Sequence, residues 1–256
     1  MEQSSWFEKI LPTLEEGSTQ AVYVGLHWAA VVVTVNGQRR CGLASISVNQ
    51  PSQNSQDTGV EKAGSLNQIP AKELVQWFNS PNYIETSIGL ATINALLPRM
   101  SGLGQEINAE EVIIKYGKGK NIAIVGHFPF VPHVKSEAKN LWVLELNPKP
   151  GDLPASAANE MIPQADVVAI TSMTLINRTF DHLISLPKKE AIVLLLGPTT
   201  PLSPVLFDFG IDILSGAIVE NIEKVICGLT QGASFQLLHQ MGVRLVSIQK
   251  GEKNSL

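Results

Sequence analysis

The chain has 256 residues, 44% hydrophobic and 16% charged, which excludes a disordered chain and supplies one large core or two modest ones. The formal net charge is −4 with no basic run, so the clustered footprint that a nucleic-acid partner needs is missing. The longest apolar stretch, 21–35, is broken by His27 and too short to span a bilayer, and MEQSSWFEKI lacks the apolar core of an export signal. The expectation is a cytoplasmic protein with no membrane or nucleic-acid partner.

Residues 2–16 have the spacing of a short amphipathic helix, with Trp6, Phe7, Ile10, Leu11 and Leu14 on one side. A valine-rich strand over 21–35 follows, then Asn36-Gly37 as a hairpin turn and a returning strand over 41–48. The poor alternation of 21–35 predicts burial on both faces. Residues 49–68 are polar and rich in Gly, Ser and Asn, a loop and a candidate lid. Helices are expected over 70–78, with Pro70 near the start, and over 87–97 (SIGLATINALL), closed by Pro98. The polar stretch 99–111 is the best domain boundary.

From Asn121 the pattern changes to strand–helix alternation. Strands are expected over 121–127, 141–146, 165–171, 191–197 and 213–219, and helices over 134–138, 155–161, 175–186, 203–209 and 221–240, with an edge strand over 243–249. This predicts an α/β fold: a small α+β domain over 1–110 and a parallel-sheet, Rossmann-like domain over 111–256. Ligands of such sheets sit outside the carboxyl ends of the strands, where strand order reverses.

Strand-end residues are therefore the candidates. Gly126 in VGHFPF permits an unusual backbone angle and close ligand approach, or serves a tight turn. GHFPF is not a GxGxxG loop, which disfavours NAD. Phe128 and Phe130 offer faces to a flat ring. Glu145 lies 19 residues after Gly126, where nucleotide-binding α/β proteins place the acid that holds ribose hydroxyls, and is otherwise a solvated strand-end acid. Asp152 could point to the same edge or cap a turn; Glu145 and Asp152 are the candidate general bases. Thr171 ends the third strand of the second domain, Thr174 is a natural helix cap, and Asn177 falls in the helix's first turn. Pro198 and Thr199 lie in the rigid turn GPTTP. Asn94, inside an apolar helix, needs partners if buried. His127 and His133 do not have the spacing of a helical metal pair, the other histidines suit packing or surface roles, and Cys41 and Cys227 match no metal or redox spacing, so no metal ligands are assigned.

Together, SIGLATINALL, VGHFPF, ELNPKPGDLP, ADVVAITSMTLINRT and LLLGPTTPLSPVLFDFGIDILSGAIV resemble the heavy-metal chelation domain family, from about Ala21 onward. The resemblance implies an enolase amino-terminal-like domain followed by a Rossmann-like domain. It also implies an interdomain site drawing on Asn94, Gly126, Phe128, Glu145, Thr171, Thr174, Asn177, Pro198 and Thr199. Where that family is expected to have serine in the GPTTP turn, this chain has Thr199 and Thr200. The reaction it implies is condensation or hydrolysis in making pterin-, flavin- or siderophore-like metal chelators. The alternatives are a non-catalytic carrier of a metal–chelate complex and a methyltransferase-like protein using S-adenosylmethionine. No cofactor is assigned; the expected ligand is a small molecule, and a homodimer is the default assembly for this fold class.

Overall fold

The computed structural model describes residues 5–46, 59–99 and 108–251. Strands β1 (Ser18–Val24), β2 (Trp28–Val35) and β3 (Gln38–Ser45) form an antiparallel sheet in that order. The one strand expected over 21–35 is in fact the end of β1 and all of β2. The chain reverses between them, with the Gly25 amide bonded to the Trp28 carbonyl at 2.9 Å. A mostly apolar run hides such a turn when the strands on both sides are apolar. The Asn36-Gly37 turn is as expected: both residues have positive φ, 50° and 76°, matching the twist of a two-residue hairpin.

Burial explains why β2 does not alternate. Ala29, Val31, Val33 and Val35 join one core, while Trp28, Ala30 and Val32 join another with Val225, Leu229 and Leu238. The first core includes α1 (Ser5–Ile10), α2 (Ala71–Gln76) and α3 (Tyr83–Leu96). Asn82 caps α3 by accepting the Ile84 amide hydrogen, a start four residues before the expected 87. Residues 47–58, which hold the end of the strand expected over 41–48 and the first half of the loop and candidate lid expected over 49–68, lie outside the described residues. Residues 100–107 of the expected boundary also lie outside them. Its last residues are not loop but the start of α4 (Ala109–Gly117), which Asn108 caps.

The second sheet holds β4 (Asn121–Val125), β5 (Asn140–Glu145), β6 (Leu153–Pro154), β7 (Val167–Thr171), β8 (Ile192–Leu196), β9 (Ile213–Val219) and β10 (Val243–Gln249), in the order β10-β9-β8-β7-β4-β5-β6. All pairs are parallel except β9–β10. Apart from antiparallel β10, this is the doubly wound order, with its reversal between β4 and β7. Helices α5 (Val131–Glu137), α6 (Ala158–Met161), α7 (Met173–Ile176), α8 (Phe180–Ile184), α9 (Ile222–Thr230) and α10 (Phe235–Gln240) connect the strands. Ile122, Ile124, Val167 and Ala169 pack with α4 and α5, while Ala123, Val168 and Ile170 enter the core shared with α1 and α3.

Two expected long helices are interrupted. The 175–186 segment breaks at Arg178, whose φ is 64°, and the 221–240 segment breaks at Gly232, whose φ is 79°. The 203–209 segment is a 3-10 helix. The α9–α10 pair covers the outer face of the small sheet, with Phe235 against Trp28 at 5.7 Å between ring centroids.

Candidate functional site

A cavity of about 530 Å³ opens at the carboxyl ends of β4, β5 and β7, beside the reversal of strand order. It gathers six of the expected residues: Gly126, Phe128, Glu145, Thr171, Thr174 and Asn177. It also takes residues that were not expected, among them His127, His182, Ser156, Asn159 and Thr179.

Gly126 turns the chain out of β4 with φ 104°, and a Cβ there would lie 3.2 Å from both the Phe128 ring and Thr171. The backbone angle therefore favours glycine, and a Cβ would press on both neighbours. The turn is held by Glu145, whose Oε1 accepts the His127 amide hydrogen at 2.7 Å and whose Oε2 accepts that of Leu146 at 2.9 Å. Glu145 thus has a backbone-bracing role at the position of a ribose-holding acid.

The side chain of His127 is set by Asp152. Nδ1 lies 3.0 and 2.9 Å from the two carboxylate oxygens, and Asp152 also accepts the Lys149 amide hydrogen at 3.0 Å. The Asp152 side chain is 3% exposed. Burial works against its ionisation, but the Lys149 amide and His127 outweigh burial and hold the carboxyl below its ordinary value. With Nδ1 donating to the carboxylate, Nε2 is the nitrogen left for a ligand. Asp152, expected as a base, stands behind His127 and does not line the cavity. The lost signal was a His and an Asp 25 residues apart, a separation with no motif; only the return of the chain after β5 brings them together.

Thr174 is not the helix cap: Ser172 holds that position, and Thr174 donates to the Thr171 carbonyl at 2.6 Å. Asn177 closes α7, its Oδ1 accepting from the Thr179 hydroxyl at 2.7 Å. Phe130 does not line the cavity and stacks on Phe128 with centroids 5.0 Å apart. Asn94 and Thr199 clasp the two sheets' surroundings together. Asn94 Nδ2 donates to the Leu43 carbonyl at 2.9 Å and the Thr199 carbonyl at 3.1 Å. Thr199 Oγ1 accepts the Ser45 amide hydrogen at 2.9 Å and donates to Ser45 Oγ at 3.0 Å. Pro198 precedes it in the same turn. None of these three lines the strand-edge cavity.

Two family models described as "Putative heavy-metal chelation" match residues 7–97 and 108–247. The chain belongs to the heavy-metal chelation family. An uncharacterized protein of Methanocaldococcus jannaschii is 26% identical over 223 residues, 83% of each chain. A crystal structure of a family member of unknown function from Desulfitobacterium hafniense is 26% identical, with a TM-score of 0.76 over 95% of this chain and 96% of that one. Another from Pyrococcus horikoshii, 22% identical, shares the fold, with a TM-score of 0.79 over 95% of this chain and 98% of that one.

Among the described residues, no three His, Cys, Asp or Glu side chains group to hold an ion. At the strand edge, His127 Nδ1 is committed to Asp152 and both Glu145 oxygens accept backbone amides. Burial pushes the Cys41 thiol up to about 12, so it stays protonated. These residues do not fit a directly ligated metal. Among the described residues no helix is long and apolar enough to cross a membrane.

Proposed function

We propose that this member of the heavy-metal chelation family is an enzyme that binds a small polar molecule in the strand-edge cavity, with His127 as its general acid or base. The observation that carries the reading is His127 fixed at Nδ1 by both oxygens of the Asp152 carboxylate, with His127 among the residues that line the cavity. A carboxylate behind an imidazole selects the tautomer and stabilises the imidazolium formed when Nε2 takes a proton. Asp152 positions and His127 reacts. Thr171, Thr174, Asn177 and Thr179 supply hydroxyl and amide groups, and the exposed faces of Phe128 and Leu146 supply apolar surface. The fitting substrate class is a chelator-like heteroaromatic or polyhydroxylated compound, and the reaction class is condensation or hydrolysis. A metal would enter already held by such a chelator, because the donors here do not fit a bare ion. The domains are 1–110 and 111–256, and the cavity belongs to the second.

The test is a thermal-shift screen of the whole chain against pterins, flavins, nucleosides, S-adenosylmethionine, divalent metals and metal–chelator pairs, followed by mass spectrometry of each hit for product. Enzyme action predicts a ring-compound hit and a product lost in His127→Gln, with binding retained. A hit that needs a metal–chelator pair and gives no product makes the protein a carrier. S-adenosylmethionine as the sole hit moves the reading to a methyltransferase-like protein.

A further inference from the structure

A second cavity, about 550 Å³, lies between β3 and the end of α3 on one side and β9 and β10 on the other, with Arg40, Cys41, Arg99, Glu220 and Arg244 in its lining. Arg40 and Arg244 there pair with the carboxylates of Glu15 and Glu220, and burial pushes the Cys41 thiol up to about 12. The strand-edge cavity is the one with an oriented imidazole, and its hydroxyl groups differ in what they already do.

Four hydroxyl side chains line it: Ser156, Thr171, Thr174 and Thr179. The Thr174 hydroxyl donates to the Thr171 carbonyl at 2.6 Å, and that of Thr179 to Asn177 Oδ1 at 2.7 Å. Thr171 Oγ1 accepts the Met173 amide hydrogen at 3.4 Å. Ser156 is exposed, and its hydroxyl makes no hydrogen bond to any described residue. It follows Pro154 by two residues; Pro154 pairs with Glu145 in the sheet, and Glu145 holds the His127 amide. β6 lies two strands from β4, roughly 10 Å at the backbone, and the His127 side chain already crosses that gap to Asp152. Asp152 and Ser156 flank β6. Asn159 also lines the cavity, and its side-chain amide makes no hydrogen bond to any described residue. It lies three residues after Ser156 in the continuous helical segment 155–161, so the two side chains are neighbours on one face.

We infer that Ser156 is a nucleophile activated by His127, with Asn159 as a donor to the oxyanion, and that the substrate is a small carboxylic ester or amide. The inference rests on the reading of His127 as an acid or base. Residues 127, 152 and 156 then supply base, orienting carboxylate and hydroxyl, a set defined by roles and not by chain order. Ser156 Oγ attacks the carbonyl carbon as its proton passes to His127 Nε2. The bond from that carbon to the alcohol oxygen or amine nitrogen breaks, and His127 returns the proton to the leaving group. Water attacks the acyl-enzyme with His127 again taking a proton, which goes back to Ser156 Oγ as the carboxylic acid leaves. Asn159 Nδ2 donates to the carbonyl oxygen while it carries negative charge.

The experiment uses the full chain and a fluorophosphonate probe. Attack on the probe forms a bond from Ser156 Oγ to phosphorus, expels fluoride and hands the hydroxyl proton to His127. Intact-protein and peptide mass spectrometry should show one adduct, on Ser156, absent from the heat-denatured chain and from Ser156→Ala. Ser156 is exposed and its hydroxyl bonds no described residue, so Ser156→Ala should keep the fold, which circular dichroism checks. His127→Gln should slow labelling at least about a hundredfold. No adduct on Ser156 in the native chain, or one that forms as fast after denaturation, overturns the nucleophile and leaves His127 to act on water, which the product test of His127→Gln decides. A Ser156 adduct that forms at an unchanged rate in His127→Gln overturns both the activation of Ser156 and the reading of His127 as a base.

Discussion

The two cavities are nearly equal in volume, about 530 and 550 Å³, yet they are built in opposite ways. The strand-edge cavity takes all its lining from residues 125–183, one run of the chain through β4, β5 and β7. The arginine cavity takes Arg40, Asn94, Thr200 and Arg244 from segments that meet only when the small sheet docks on the large one. The first is a consequence of strand order, which puts loops at one edge whatever the side chains are. The second is a consequence of packing and exists only as long as two surfaces stay in register. Damage to the docking seam should therefore cost the second cavity before the first.

The strongest way to break this comparison is Gly42→Ala. A Cβ at Gly42 would lie 2.0 Å from the Ala91 carbonyl oxygen and 2.5 Å from the Ala95 amide, so β3 and α3 must separate. A loss of about 3 kcal/mol or more is expected in urea unfolding. Arg178→Ala comes next. Arg178 donates to the Phe78 carbonyl and, at 3.3 Å, to that of Ser80, and its guanidinium lies 4.9 Å from the Phe78 ring centroid. Losing this bolt should cost about 2 kcal/mol. Arg178→Gly loses the same contacts but relieves the positive φ, so it should be about 1 kcal/mol less harmful than alanine.

Asp152→Asn sharpens the comparison from the other side, because it touches the strand-edge cavity alone. The folded-state pKa of Asp152 is depressed, so its contribution is present above the unfolded value of about 3.9 and is lost as pH falls through the folded value. The wild-type protein should exceed Asp152→Asn in stability by about 1 kcal/mol at pH 7, and the gap should close as pH drops below about 4. Urea unfolding at several pH values measures this, and a gap that persists at pH 2 would contradict it. The smallest effects separate two neighbours. Thr199→Val removes the acceptor of the Ser45 amide hydrogen and should cost about 1–2 kcal/mol. Thr200→Val should cost nothing measurable, since its hydroxyl has no partner in the free protein.

Legibility in the sequence followed the range of the interactions involved. The turn at Gly126 and the strand ends at Glu145 and Thr171 were readable because strand, glycine and loop are neighbours in the chain. His127 was visible as a residue but not as part of a pair, since its partner Asp152 is reached only after β5 and a turn. Phe130 was a reasonable ring-binding candidate, but Phe128 already occupies one of its faces. Thr174 resembled a helix cap, and the helix begins two residues earlier than that reading requires.

What the sequence by itself determined is the class of the fold, the alternation from Asn121 onward and the edge at which its loops collect, because hydrophobic periodicity and turn residues act over a few positions. Tertiary structure alone decided that β2 is sandwiched between two cores, that Asn94 and Thr199 clasp rather than line the strand-edge cavity, and that Arg40, Arg99 and Arg244 come to line one cavity. Those outcomes depend on which surfaces meet, and surfaces are made by residues that no local pattern joins.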